Sequence, residues 1–255
     1  MADDPQAGLE SRAPVGRIAL RRRSIYLLPN LVTTASLFAG FYAIVQAMNA
    51  RFDQAAVAIF VAMVLDGLDG RIARMTRTQS EFGADYDSLS DMVSFGAAPA
   101  LVMYVWALKD LGNIGWVPAF VYCAAGAVRL ARFNTNIQVV DKRFFQGLPS
   151  PAAAALVAGF IWVADDFGIH RVDWIRYIAF VTTLFAGITM VVTIPFYSFK
   201  DFNPRKRVPF WAVPVVIGAI AIIGYKPAMF LFLLFVAYSL SGYVFWIYRK
   251  TRKRR

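Results

Sequence analysis

Residues 55–74 read AAVAIFVAMVLDGLDGRIAR, from Ala55 to Arg74. Eleven apolar residues lead into Asp66 and Asp69, spaced i and i+3, and the stretch closes on Arg71 and Arg74. A long apolar run is read as a helix that crosses a bilayer, and carboxylates inside one are costly enough to mark a functional site. Outward from it, apolar stretches recur near 25–47, 53–73, 88–108, 114–134, 149–167, 175–197, 209–224 and 227–248. Most approach the ~20 residues that cross ~30 Å of hydrocarbon. The seventh is short, and GYKP (224–227) leaves only a tight turn before the eighth; six spans plus a re-entrant hairpin is the alternative.

Composition agrees. Of 255 residues, 58% are hydrophobic against a usual ~45–50% and 17% charged against ~25%, with a mean hydropathy of +0.52. So little charge cannot clothe so much apolar material in water, which excludes an ordinary soluble domain. The one cysteine, Cys123, excludes an intramolecular disulfide framework and a multi-cysteine zinc site; the one histidine, His170, excludes a histidine-rich metal site. The expectation is an all-α, polytopic membrane helix bundle of about eight transmembrane helices, a six-span core plus a C-terminal hairpin. Residues 1–24 form a disordered tail and a basic juxtamembrane helix, 25–248 the transmembrane domain that holds the site, and 249–255 a basic tail. The first apolar run far exceeds the ~7–15 residues of a signal-peptide core and reads as a retained span. No fixed-period repeat supports a repeat-built transporter.

The net charge of +11 invites a nucleic-acid reading, so its placement matters. With eight spans and a cytoplasmic amino terminus, Arg51, Lys109, Arg171, Arg176 and Lys226 fall outside, and the other 22 of the 27 Lys and Arg fall inside. That is the positive-inside bias of a membrane protein whose two termini are cytoplasmic. Nucleic acid is not an expected partner; the lipid bilayer is.

Acid is concentrated. Of 16 acidic residues, six lie between positions 66 and 91: Asp66, Asp69, Glu81, Asp85, Asp87 and Asp91. Asp66 and Asp69 share one helical face, and so do Asp87 and Asp91 at i and i+4, while Asp85 points elsewhere as a solvated charge. Asp66 lies roughly 20 Å down the second span, about 10 Å from its inner end. The third span starts near Ser88 at that same level, so the two pairs can converge. Four unpaired carboxylates would repel in a low-dielectric site; divalent cations remove the repulsion, and all-oxygen ligation suits Mg²⁺ or Mn²⁺. Two such ions can clamp phosphate oxygens through an in-line displacement. Gly67, Gly70 and Gly83 expose backbone for close approach, and Arg71, Arg74 and Arg77 stand at the rim for phosphate charge. The reading of another class is a cation transporter using intramembrane aspartates.

From Asp66 to Asp91 the residues follow the pattern D-x2-D-G-x2-A-R-x8-G-x3-D-x3-D, and in this the chain resembles the CDP-alcohol phosphotransferase family. The resemblance implies an enzyme that transfers a phosphoalcohol from a CDP-linked donor to an acceptor hydroxyl, releasing CMP. It implies that Asp66, Asp69, Asp87 and Asp91 hold two divalent cations, and that Asp91 also takes the acceptor proton. It places Asn30, Thr33, Gly67, Gly70, Arg74, Thr78 and Gly83 against the donor. Asn30 could equally be a helix cap near the interface. Two downstream strings, RLARFN (129–134) and GLPSPAA (147–153), resemble those of family members that use L-serine with CDP-diacylglycerol. Arg129, Arg132 and Asn134 are then the candidates for holding serine, since a guanidinium grips a carboxylate bidentately. The two arginines could instead be topology anchors, and acceptors such as glycerol 3-phosphate or inositol phosphate would also want them. Choline and an archaeal lipid donor stay open as well. The resemblance also implies a homodimer in the cell (inner) membrane, with the site on the cytoplasmic side.

Overall fold

The structure, a computed structural model, describes residues 15–76, 80–135, 144–169, 172–197 and 224–252, with Pro214 and Gly218. Among these are eight α-helices: α1 (Val15–Met48), α2 (Phe52–Thr76), α3 (Glu81–Asp91), α4 (Ala98–Trp106), α5 (Trp116–Thr135), α6 (Ser150–Asp166), α7 (Ile175–Val191) and α8 (Pro227–Arg252). A π-helical segment, Met92–Ala97, joins α3 to α4, and a 3-10 segment, Leu108–Ile114, precedes α5. Most of the seventh apolar run, with His170 and Thr78, falls outside the described residues.

α1 and α2 lie against each other along buried alanines: Ala39, Ala43 and Ala47 on one, Ala55, Ala58 and Ala62 on the other. These recur at i+3 or i+4, and small side chains let two helix backbones approach closely where lipid supplies no hydrophobic drive. Gly40 extends the contact to the π segment, because a Cβ there would sit 2.6 Å from Ser94 Cα. Ser94 Oγ donates to Ser36 O (3.1 Å), and Ser36 Oγ donates to Ala62 O (3.0 Å), stitching three helical segments together.

α6 is the central post. From Ala152 to Ile161 every residue is buried, and the helix packs on α2, α4, α7 and α8. The turn before it follows its residues: Gly147 takes a positive φ of 82°, and Pro149 and Pro151 straddle the helix start. The same turn carries a feature absent from an all-α expectation, an antiparallel pair of three-residue strands. β1 (Phe144–Gln146) pairs with β2 (Pro195–Tyr197), with Gln146 opposite Pro195.

Among the described residues, length and apolarity together qualify three helices to cross a membrane: Leu28–Met48, Glu81–Trp106 and Pro227–Arg252. The 3-10 segment and α5, bent by 99° where they meet, would make a fourth. The sequence expectation of about eight counts apolar runs over the whole chain, the seventh of which lies mostly outside the described residues. α2 carries the site's charges in its last turns, while α6 and α7 have only 17 residues each; α6 is clothed by neighbouring helices, and α7 leaves Tyr177, Val181 and Ile188 exposed. The third span also begins earlier than Ser88, at Glu81 behind an N-cap by Ser80, whose side chain accepts from Gly83 N (3.0 Å). Its first turns are too polar to register as apolar sequence. α1, likewise, runs unbroken from Val15 through the boundary expected at residue 24.

Candidate active site

α2 and α3 present their aspartates to each other beside α1. One carboxylate oxygen from each of Asp66, Asp69 and Asp87 lies within 4.8 Å of the others. Asp91, one turn beyond Asp87, puts its carboxyl in hydrogen-bond contact with Asp66. The sequence spacing therefore does what it predicts: two i, i+3/i+4 pairs on neighbouring helices meet.

The surroundings hold these groups in place. Asp69 is buried, and its Oδ2 accepts from Thr33 Oγ1 at 2.8 Å; the Pro29 carbonyl, 3.1 Å away, is that hydroxyl's other acceptor. The Thr33 carbonyl accepts from buried Ser90 Oγ (3.2 Å), between Asp87 and Asp91. Asp87 Oδ1 is buried without a hydrogen-bond partner among the described residues. A buried anionic oxygen left unpaired costs several kcal/mol unless a cation or donor meets it. A cluster of hard oxygen donors with one such orphan, and no sulfur or imidazole beside it, fits a divalent metal of the Mg²⁺ or Mn²⁺ kind.

Of the residues expected at the donor, Asn30 and Gly83 lie together, as do Gly70 and Arg74, while Thr78 lies outside the described residues. A Cβ on Gly83 would stand 3.5 Å from Asn30 Oδ1, so α1 and α3 meet at that pair; Asn30 lies inside α1 and does not cap it. Gly70 lies beside the Arg74 guanidinium, 3.6 Å from Nη1 to the Cβ position. At Gly67 a Cβ would meet nothing within 4 Å, so no packing contact demands glycine there. Thr33, expected at the donor, donates to Asp69. One contact not anticipated from sequence is Thr34 Oγ1 with the Tyr86 hydroxyl at 2.8 Å, with Phe82 stacked on the Tyr86 ring. Tyr86 lies within the motif at a position where any residue is allowed.

The three residues expected at the acceptor separate. Arg129 Nη1 donates to buried Ser150 Oγ (2.9 Å), its Nε is buried with no hydrogen-bond partner among the described residues, and it lies within the field of Asp91. Arg132 donates to the Val191 carbonyl (3.3 Å) and to Gln146 Oε1, bracing the β-ribbon. Asn134 Nδ2 donates to Ser88 Oγ (3.0 Å), tying the end of α5 to α3. Arg132 and Asn134 thus have protein partners, and Arg129 keeps a donor in reserve. Ser150 and Gln146 were missed because a serine after a proline, or a glutamine before a glycine, carries no signal without its arginine.

Residues 26–195 match the CDP-alcohol phosphatidyltransferase family, from within α1 to the first residue of β2. The chain belongs to this family. It is 33% identical over 225 residues to the CDP-diacylglycerol–serine O-phosphatidyltransferase of Helicobacter pylori (strain J99), covering 88% of this chain and 92% of the relative. It is 33% identical to the protein of that name from Mycobacterium bovis (88% of this chain, 79% of the relative) and 30% identical to that from Methanocaldococcus jannaschii (87% and 96%). Family membership thus takes in the whole aspartate cluster, Arg129 and Arg132, while α8 lies beyond the matched segment.

Proposed function

We propose that this membrane protein transfers the phosphatidyl group of CDP-diacylglycerol to the hydroxyl of L-serine, giving phosphatidylserine and CMP. The observation that carries the reading is the convergence of Asp66, Asp69 and Asp87, with Asp91 on Asp66, at the positions of the family motif. Serine as acceptor is supported by the three relatives of that name, which align over 87–88% of this chain.

Two divalent cations, Mg²⁺ or Mn²⁺, would be held by Asp66, Asp69, Asp87 and Asp91 and would supply charge neutralisation at the donor diphosphate. Thr33 fixes the Asp69 carboxylate, and Ser90 fixes Thr33, so the ligand set is oriented before substrate arrives. Asn30, Thr33, Gly67, Gly70, Arg74, Thr78 and Gly83 receive the cytidine and diphosphate, with Arg74 holding phosphate charge. Arg129 takes the serine carboxylate through its free Nε edge. Asp91 then accepts the serine hydroxyl proton as Oγ bonds to the phosphorus bearing diacylglycerol. The bond from that phosphorus to the bridging oxygen breaks, and its electron pair leaves on CMP. The reading includes an inner-membrane location, a cytoplasmic site with both termini on that side, and a homodimer.

The deciding experiment measures CMP release by purified protein with CDP-diacylglycerol and, in turn, L-serine, glycerol 3-phosphate, inositol phosphate and choline. Serine-dependent CMP with matching phosphatidylserine is expected. Release with another acceptor alone would move the substrate within the family; no release with any acceptor would leave the cation-transporter alternative.

A further inference from the structure

We propose that Tyr243 of α8 is a positioning residue for the acceptor: through Thr189 and the turn 147–150 it sets where Arg129 stands. The inference rests on the reading of Arg129 as the group that takes the serine carboxylate. α8 lies beyond the family-matched segment, which ends at Pro195, so the motif gives it no part in the site. It nevertheless meets the acceptor side of the bundle at several points. The Tyr243 hydroxyl is 2.7 Å from Thr189 Oγ1, near the end of α7. The Tyr243 ring stacks on Phe185, one turn before Thr189, with centroids 5.8 Å and planes 29° apart. Phe196 of β2, fully buried, sits so close to Gly242 that no Cβ would fit there, and it packs on the Tyr238 ring.

What α8 holds in this way is the platform on which the turn rests. α7 ends at Val191, where the N–H of Val192 returns to Ile188 O, and the carbonyls after Ile188 turn to other segments. Leu148 N–H donates to Thr189 O (2.9 Å), and Arg132 Nη1 donates to Val191 O (3.3 Å). Gly147 N–H donates to Ile194 O (2.9 Å). Thr189 is therefore shared: its side chain meets α8 and its carbonyl holds Leu148. From Leu148 the constraint passes to Ser150 across Pro149, whose ring fixes φ at −56°. Buried Ser150 Oγ accepts from Arg129 Nη1 (2.9 Å), so the path ends on the guanidinium. Removing the Tyr243 hydroxyl leaves the buried Thr189 hydroxyl to bond back to the carbonyl one turn earlier, which bends the last turn of α7. The serine carboxylate would then meet a displaced guanidinium. That contact acts before and during the transition state, so its loss appears in KM. None of the four aspartates lies on the path.

The test is a double-mutant cycle on the full chain, read in serine kinetics with CDP-diacylglycerol saturating. Tyr243→Phe should raise the serine KM roughly three- to tenfold, the span of one neutral hydrogen bond, with kcat and the donor KM unchanged. Thr189→Val should match it, and Thr189→Ser, which keeps a hydroxyl for Tyr243, should restore the wild-type KM. In an Arg129→Ala background Tyr243→Phe should add nothing, because the path no longer ends on a guanidinium. An unchanged serine KM in Tyr243→Phe would overturn the inference. So would an equal rise with and without Arg129, or a loss in kcat and donor KM alike, since either means damage that does not pass through Arg129. Failure of the underlying reading looks different: Arg129→Ala alone then leaves the serine KM unchanged, and the inference falls with it. Should Tyr243→Phe not fold in a thermal-unfolding control, Thr189→Val and Thr189→Ser carry the same cycle.

Discussion

At the scale of single residues, the site divides into groups that react, groups that hold and groups that build. Asp91→Asn should lower turnover by ~10²–10⁴-fold, since the amide cannot take a proton, while donor binding is largely retained; kcat with a CDP-diacylglycerol binding isotherm checks both. Thr33→Val removes the hydroxyl from Asp69 Oδ2 and nothing from the reacting atoms. Loss of a partner behind a metal ligand typically costs ~10–100-fold in metal affinity, so activity should need that much more Mn²⁺, and Mn²⁺ titration followed by electron paramagnetic resonance should shift alike. Thorough chelation should abolish turnover in both proteins; undiminished turnover would remove the metal from the reading. The arginines are told apart by their partners. Arg129→Ala should raise the serine KM by roughly 10–100-fold, the value of a hydrogen-bonded charge pair, because its Nε edge is uncommitted. Arg132→Ala should change the serine KM less and lower the unfolding temperature, because it braces Val191 and Gln146. If neither variant moves the serine KM, the carboxylate contact lies elsewhere.

At the scale of elements, the decisive feature is the helix from Glu81 to Trp106, and it is only partly legible from its residues. The spacing Asp87–Asp91 foretells which side chains meet α2, because a helix repeats every 3.6 residues regardless of context. The spacing says nothing of the π segment beginning at Met92, where Ala98 N reaches Val93 O, five residues back. A wide turn follows from what surrounds it: the fully buried Tyr122 donates its hydroxyl to Phe95 O (3.1 Å), and Gly40 admits Ser94 to α1. The β-ribbon is likewise too short to show alternation, and the central burial of α6 is set by its neighbours, since its alanine run reads like any span. The extra π residue sets the phase of α3 against α4. Deleting Ala97 would restore an α-helix and rotate Asp87 and Asp91 by about 100° away from α2. CMP release should fall more than ~10²-fold, as reacting groups moved by an ångström can lose that much, with helical circular dichroism unchanged. Activity within tenfold of wild type would show that the turn does not set the register. Tyr122→Phe should cost ~1–3 kcal/mol of stability by orphaning a buried carbonyl.

At the scale of the whole molecule, charge and packing divide the work. The bundle's interior is stitched by hydroxyls and alanines, such as Ser36 to Ala62 and Ser94 to Ser36, with acid confined to one mouth between α2 and α3. Basic residues crowd the ends of the chain: Arg17 to Arg23 before the first span, and Arg249 to Arg255 at the close. If one orientation satisfies both ends, an even number of crossings separates them, and the aspartate mouth, at the same ends of α2 and α3, shares their side. In the orientation proposed above that side is the cytoplasm, where a nucleotide donor is available and anionic lipid attracts lysine and arginine. Orientation is testable without reference to activity. In a Cys123→Ser background, Thr251→Cys should react with a membrane-impermeant maleimide only after cells are opened, and Lys109→Cys should react in intact cells. Labelling of Thr251→Cys from outside would reverse the bundle and put the aspartates on the wrong face for a cytidine nucleotide. Labelling of neither in intact cells, with both labelled after opening, would mean that the number of crossings between Lys109 and the C-terminus is even, and the span count would have to change with it.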